Sequence, residues 1–312
     1  MAENMAKRVL LIDDDRMQCK LTAASLAKFS REKFDFEWAD TYQVGLRKLL
    51  EGGYAACLLD YQLGERDGLM LLREAQEAGC RVPIIFLTAE DDESIDTQAM
   101  EAGAVDYLIK GELNPRTLER TLRYALKLSE TLEAMRQLAT HDALTGLLNR
   151  REFDRVIHEE HERARRFGRS YAIVMLDLDH FKSINDRYGH PVGDFVLKTM
   201  AKRISQQLRS VDRFARVGGE EFAIVLAEVD FVTAAEVARR IVGAIMRMPV
   251  LLEDGTKLVV TLSAGSASMP KNATDAVALV QIADKALYEA KTRGRNRAIA
   301  AVELEPGIAP SP

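Results

Sequence analysis

Residues 213–226 read RFARVGGEEFAIVL: two short apolar runs with Gly218 and Gly219 between them, the pattern of a β-hairpin whose tip carries acidic side chains. A tip opened by two glycines lets a phosphate approach the backbone, because neither residue offers a side chain. Alone, Arg216-Val-Gly-Gly-Glu-Glu-Phe222 would be an ordinary exposed turn. Its meaning comes from its neighbours. Upstream stand Asp142-Ala-Leu-Thr-Gly-Leu-Leu-Asn-Arg-Arg151, Asp177-Leu-Asp-His-Phe-Lys-Ser-Ile-Asn-Asp186 and Tyr188-Gly-His-Pro-Val-Gly-Asp194. Downstream stands Tyr288-Glu-Ala-Lys-Thr-Arg-Gly-Arg-Asn296. From His141 to about Ile299 the patterns run helix, strand, helix, hairpin, helix, strand, helix, strand, which predicts an α+β domain.

Together these motifs resemble the GGDEF, or diguanylate cyclase, domain, drawn here at 141–302, with Glu220 where the family has its central aspartate. The resemblance implies a sheet similar to the palm of nucleotide polymerases and nucleotidyl cyclases, and condensation of two GTP into cyclic di-GMP. Attack of a 3'-hydroxyl on an α-phosphate expels pyrophosphate, so divalent metals must stabilise both the attacking oxygen and the leaving charge. The resemblance implies Asp177 and Glu220 as ligands of two Mg2+ ions, and Glu221 as the group assisting deprotonation of the hydroxyl. Lys182, Lys291 and Arg295 would grip the phosphates against Gly218 and Gly219, the last two cations sitting four apart at a helix end. Asn185 and Asp194 match the family's guanine-reading pair; guanine offers adjacent N1–H and N2–H donors that adenine lacks. His180 and His190 fall inside these motifs as structural residues, and His158 and His161 on a solvated helix face. Arg209-Ser-Val-Asp212 stands where the family carries its RxxD inhibitory product site, with Arg163 expected to supply a second arginine.

Residues 1–125 follow a different pattern. The runs VLLI, FDFEWA, ACLLD, PIIFLT and DYLIK alternate with helix-like stretches, the signature of a doubly wound parallel α/β sheet. Asp13 and Asp14 end the first run, Asp60 the third, Thr88 the fourth and Lys110 the fifth, so the sheet gathers all five at its carboxyl edge. Clustered carboxylates repel unless a hard cation sits among them, which predicts one Mg2+ held by Asp13, Asp14 and Asp60. Asp60 would be a phosphoacceptor, Thr88 would hydrogen-bond the phosphoryl group and Lys110 would neutralise part of its charge. This stretch resembles a two-component receiver domain, whose aromatic switch position falls on Tyr107 and whose partner would be a cognate histidine kinase. Gly111 departs from the family, which places proline after the lysine.

Between the two, residues 114–140 contain no glycine, and apolar side chains recur at Leu118, Leu122, Ala125, Leu128, Leu132, Met135 and Ala139. This heptad seam, with one stammer between Ala125 and Leu128, predicts a dimeric coiled coil continuing the last receiver helix; one amphipathic helix packed on its own domain is the alternative. Two GTP per product also call for a homodimer. The net charge of -5 offers no field for a polyanion, so nucleic acid is not expected as a partner. No run is long enough for a membrane span or signal peptide, and three cysteines without paired spacing suit a reducing, cytoplasmic setting. The tail at 303–312 reads as disordered. Two other classes stay open: a catalytically silent cyclic di-GMP receptor, and a transcriptional regulator, which would need a basic DNA-reading helix that the C-terminal half lacks.

Overall fold

The computed structural model describes residues 7–29, 33–89 and 93–301. The tail expected at 303–312, and residue 302 before it, lie outside the described residues. The chain divides into two compact units, Met1–Met135 and Arg136–Pro312.

The first unit is doubly wound. Five strands, β1 (Lys7–Ile12), β2 (Phe34–Ala39), β3 (Ala56–Asp60), β4 (Ile84–Thr88) and β5 (Asp106–Ile109), form one parallel sheet in the order β2-β1-β3-β4-β5. Four helices alternate with them: α1 (Arg16–Leu26), α2 (Tyr42–Glu51), α3 (Gly68–Glu77) and α4 (Glu93–Glu101). β3 and β4 are buried along their whole length because helices cover both faces of a parallel sheet, which is why these strands read as unbroken apolar runs. The strand order reverses between β1 and β3, so the loops carrying Asp13 and Asp60 open the crevice there. After β5, Lys110–Glu112 forms a single 3-10 turn, with Gly111 in open space where the family's proline would stand.

Helix α5 (Pro115–Thr140) is continuous over 26 residues. Its apolar seam divides at the stammer. Leu118, Leu122 and Ala125 are buried with Leu126 in the first unit's own core, against Val9, Leu11, Leu58 and Leu108. They therefore do not face a partner helix, which corrects the expectation of one seam running the whole length. Leu128, Leu132 and Met135 are 46, 45 and 59% exposed. The change of register at 125–128 is the change from packing on a sheet to presenting a free stripe.

The second unit contains α6 (Arg150–Phe167), β6 (Tyr171–Leu178), α7 (Phe181–Tyr188), α8 (His190–Ser205), β7 (Arg213–Arg216), β8 (Glu221–Ala227), α9 (Phe231–Met246), β9 (Leu262–Met269), α10 (Ala276–Thr292) and β10 (Ala298–Ala300). The sheet order is β10-β9-β6-β8-β7, antiparallel except where β9 meets β10. Two helices stand where one was expected between β6 and the hairpin. Gly189, at φ 83°, breaks the run, and Pro191 then suits the first turn of α8. A two-residue ladder, Val250–Leu251 with Lys257–Leu258, was not expected either. β6 is central and buried throughout. Its even residues Ala172, Val174 and Leu176 pack with α8 and α9, and its odd residues Tyr171, Ile173 and Met175 with α6 and α10. By strand alternation Asp177 belongs to the odd face, toward α10.

Candidate functional site

At the carboxyl edge of the first sheet, Asp13 is fully buried and Asp60 is 5% exposed, while Asp14 is open to solvent. One carboxylate oxygen from each can lie within 4.8 Å of the other two, the spacing a hard cation requires. Lys110 Nζ bridges two of them, 2.9 Å from Asp13 Oδ2 and 2.8 Å from Asp60 Oδ2. The third, Asp14, accepts the Gly64 amide at 3.0 Å. Burial pushes the Asp60 carboxyl up to about 6, and the neighbouring Asp13 charge adds to this against the pull of Lys110. Burial raises Asp13 likewise. Thr88 is buried at the end of β4, registered opposite Ile109 and so beside Lys110; Tyr107 lies two residues earlier on β5, opposite Phe86. Gly68 stands where its Cβ would meet the Asp60 carbonyl at 2.2 Å, so only glycine lets α3 begin that close to the acceptor.

In the second unit, Asp177 is registered between Glu221 on β8 and Ser263 on β9. It is 6% exposed, and Lys291 Nζ from α10 lies 2.7 Å from its Oδ2. Burial raises the Asp177 carboxyl despite Lys291, with the charges of Glu221 and Asp179 acting in the same sense. Glu220 is raised by burial and by Asp177. The buried Asp177, with Glu220 and Glu221 half-buried beside it, is a donor set suited to a divalent ion. Neither hairpin glycine adopts a left-handed conformation. Gly218 is required by crowding instead: a Cβ there would lie 2.3 Å from Glu221 Oε2. Gly219 faces open space.

Asn185 on α7 holds its Oδ1 buried without a partner, packed on Gly193, whose Cβ would meet it at 1.9 Å. An acceptor held so is suited to a ligand's N–H donor. Asp194 and Lys182 are exposed on α8 and α7, and Arg295 is exposed in the turn after α10. Arg209 and Asp212 form a turn after α8 in which Asp212 Oδ2 accepts the Arg209 amide at 2.8 Å. Arg163 lines one groove of about 390 Å³ together with Val211 and Arg213, so α6 and the 209–213 turn do share a surface. His180 takes a left-handed φ of 58° at the start of α7, and His161 Nδ1 lies 3.3 Å from the buried Tyr171 hydroxyl rather than on a solvated face.

Two residues went unremarked in the sequence. Arg216 Nη1 donates to both Asp142 oxygens at 3.1 and 3.2 Å, while its Nε and Nη2 donate to the Gly219 carbonyl at 3.1 and 2.7 Å. The guanidinium thus ties the hairpin tip to the segment that follows α5. Burial raises the Asp142 carboxyl, but the Thr145 hydroxyl and amide with Arg216 outweigh it and hold it below the usual range. Asp179, buried just past β6, accepts hydrogen bonds from three donors. Both lie inside quoted motifs, yet neither pairing has a sequence signature, because the partners are 74 and 117 residues apart.

The family described as "Diguanylate cyclase, GGDEF domain" matches residues 139–297, and "Response regulator receiver domain" matches residues 9–123. Response regulator PleD of Caulobacter vibrioides is 29% identical over 308 residues, covering 95% of this chain and 66% of its own length. Diguanylate cyclase TpbB of Pseudomonas aeruginosa is 34% identical over 258 residues, covering 80% of this chain and 58% of its own. The chain spans no more than about two thirds of the length of these relatives. The solved coiled coil and GGDEF domain of DgcB from Caulobacter crescentus, in complex with c-di-GMP, matches with a TM-score of 0.55 and 30% identity over 59% of this chain and 97% of that one.

Proposed function

The chain belongs to the GGDEF-domain family of diguanylate cyclases and carries a response regulator receiver domain, and from that premise we propose that it is a phosphorylation-activated diguanylate cyclase. It condenses two GTP into cyclic di-GMP and two pyrophosphates. The observation that carries this reading is the buried Asp177, paired with Lys291 at 2.7 Å and flanked by the half-buried Glu220 and Glu221 of the hairpin tip.

Asp177 and Glu220 would hold two Mg2+ ions, which supply the positive charge that stabilises the attacking oxygen and the departing pyrophosphate. Glu221 accepts the proton of the 3'-hydroxyl. Lys182, Lys291 and Arg295 bind phosphate oxygens, and the open space at Gly219 admits them to the backbone. The Asn185 carboxamide oxygen and Asp194 accept the guanine N1–H and N2–H donors, so an adenine would leave both acceptors unpaired. GTP is the substrate for that reason.

In the receiver, Asp13, Asp14 and Asp60 would hold one Mg2+. The Asp60 carboxylate attacks the phosphorus of a phosphohistidine on the cognate kinase, breaking its P–N bond. The Thr88 hydroxyl donates to the new phosphoryl group and Lys110 turns toward it, with Tyr107 following on β5. One GGDEF domain binds one GTP, so two copies must meet, and the exposed stripe Leu128, Leu132, Met135 and Ala139 of α5 is the dimer contact that brings them together. Product inhibits at Arg209 and Asp212 with Arg163. No helix among the described residues is long and apolar enough to cross a membrane, and the reaction draws on cytoplasmic GTP.

The test is incubation of the full chain with GTP and Mg2+, with and without beryllofluoride, following product by chromatography. Cyclic di-GMP that rises with beryllofluoride supports both sites and their coupling. No product in either arm, with cyclic di-GMP still bound, would make the protein a receptor instead.

A further inference from the structure

Asp179 lies two residues beyond Asp177 and is 6% exposed. Its Oδ1 accepts the Ser263 hydroxyl at 2.7 Å, and its Oδ2 accepts both the Thr261 hydroxyl at 2.8 Å and the backbone N–H of Asn296 at 3.0 Å. The Asp179 amide in turn donates to the Thr261 carbonyl at 3.0 Å. Two segments distant in sequence are thereby fastened to the end of β6: the entry to β9, and the turn after α10.

That turn is strained. Arg295 and Asn296 adopt φ of 60° and 48°, two consecutive non-glycine residues in the left-handed region. Such a pair persists only where the surrounding structure over-determines it. The restraints here include the Asn296 N–H on Asp179, the Arg295 N–H on the Ala290 carbonyl at 3.0 Å, the Arg297 carbonyl accepting the Ala264 N–H at 2.9 Å, and the Asn296 Nδ2 donating to Met246 Sδ of α9 at 3.0 Å. Only the first joins the turn to the strand that carries the acidic site. The residue on whose far side this bond acts is Arg295, the phosphate-binding cation just past the helix that bears Lys291.

We infer that Asp179 is a positioning residue of the cyclase site: its carboxylate locks the turn after α10 so that Arg295 meets the triphosphate of GTP, while Asp179 itself touches no substrate. The inference rests on the proposed cyclase function. A carboxylate suits the position because every partner donates. An asparagine can replace it, with its amide oxygen on the Asn296 N–H and its NH2 on the Ser263 hydroxyl oxygen, whereas alanine cannot.

The test is a double-mutant cycle on the full chain, reading equilibrium binding of a GTP analogue with a methylene α–β bridge, so that no pyrophosphate can leave, in the presence of Mg2+. Loss of one charge-assisted contact predicts that Asp179→Ala and Arg295→Ala each weaken binding about tenfold. Because one acts through the other, the double variant weakens it about tenfold as well, not by the product of the two. Asp179→Asn restores binding to within about twofold of wild type by the substitute contacts. Should Asp179→Ala fail to fold, Asp179→Ser, whose hydroxyl can still bond a neighbouring polar group but is too short to reach the Asn296 N–H, carries the same cycle. An additive double variant, or an Asp179→Ala protein that binds as wild type, overturns the positioning role and leaves the cyclase reading intact. A wild-type chain that does not bind the analogue overturns both.

Discussion

Replacing Arg216 by alanine removes two hydrogen bonds to the Asp142 carboxylate and two to the Gly219 carbonyl at one stroke. The side chains of Arg216 and Asp142 are 14 and 23% exposed, so solvent screens this pair only in part. Asp142 keeps its bonds from the Thr145 amide and hydroxyl at 2.9 and 2.6 Å and is not orphaned. Charge-assisted contacts of this kind contribute about 1.5–3 kcal/mol, and the second unit is expected to lose about 2–3 kcal/mol of unfolding free energy. Arg216→Lys should recover little, because an ammonium cannot span a carboxylate and a carbonyl as a planar fork does. The Asp142 carboxyl is held below its ordinary 3.8, so its contribution is complete above that value and disappears as pH falls through the lowered one. The gap between wild type and variant should therefore be full at pH 7 and narrow in acid, leaving the part contributed by the Gly219 carbonyl. Turnover should fall on the order of a hundredfold, since the untied tip misplaces Glu220 and Glu221 by a fraction of their own length. Urea unfolding of the second unit by circular dichroism, beside GTP turnover of the same preparations, measures both. An unfolding free energy within about 0.5 kcal/mol of wild type, with kcat unchanged, would mean that the guanidinium is a surface ornament and that the tip is held otherwise.

Other consequences can be read separately. Gly218→Ala should fold normally but lose turnover, because its new methyl meets only the Glu221 side chain, closest at the carboxylate, and must push that carboxylate aside; Gly219→Ala, built into open space, should leave folding untouched and raise KM for GTP, and equal kinetics for the two would refute the distinction. Asp60 titrates near 6, so Mg2+ affinity of the receiver should climb as pH rises from 5 to 7 and flatten above. Trp38, the only tryptophan, donates to the Asp13 carbonyl at 2.7 Å and should report that binding by its fluorescence; a pH-independent titration sinks the assignment. Leu132→Glu with Met135→Glu should leave both units folded and yield a monomer by sedimentation with no turnover, whereas Leu122→Glu, at a position with no exposure, should unfold the receiver. A sedimenting dimer in the first variant removes α5 as the contact.

The five receiver strands and the ends that carry Asp60, Thr88 and Lys110 were legible because a parallel sheet covered on both faces writes itself as apolar runs, and because the crevice of such a sheet opens where those runs stop. Helix α5 was legible as a helix but not in its packing. A heptad count cannot tell a residue buried against its own sheet, such as Leu122, from one left exposed, such as Leu132; both satisfy the same spacing. The break at Gly189 hid for a different reason: apolar periodicity resumes in α8 at once, and only the left-handed φ before Pro191 separates the two helices. The ties made by Arg216 and Asp179 lay beyond reading, since each motif shows the residue and none shows its partner.

The two acidic centres, on unrelated sheets, share one electrostatic construction. Each has a nearly buried strand-end aspartate whose carboxyl is raised by loss of solvent, and each has a lysine from a neighbouring element within hydrogen-bonding distance of it: Lys110 on Asp60 at 2.8 Å, Lys291 on Asp177 at 2.7 Å. An ammonium cannot satisfy the coordination that a hard dication finds among several carboxylates, but it can hold their charge in place until one arrives. Were a dication and phosphate oxygens to enter as proposed, the lysine would be free to turn to the phosphate without leaving the pocket, so the cation now paired with the carboxylate would become the one that binds the phosphate. That exchange gives a reason for lysine over arginine at both positions. A compact point charge on a flexible stem can move between a carboxylate and a phosphoryl oxygen a few ångströms away, whereas a guanidinium fork would be committed to the geometry of its first partner.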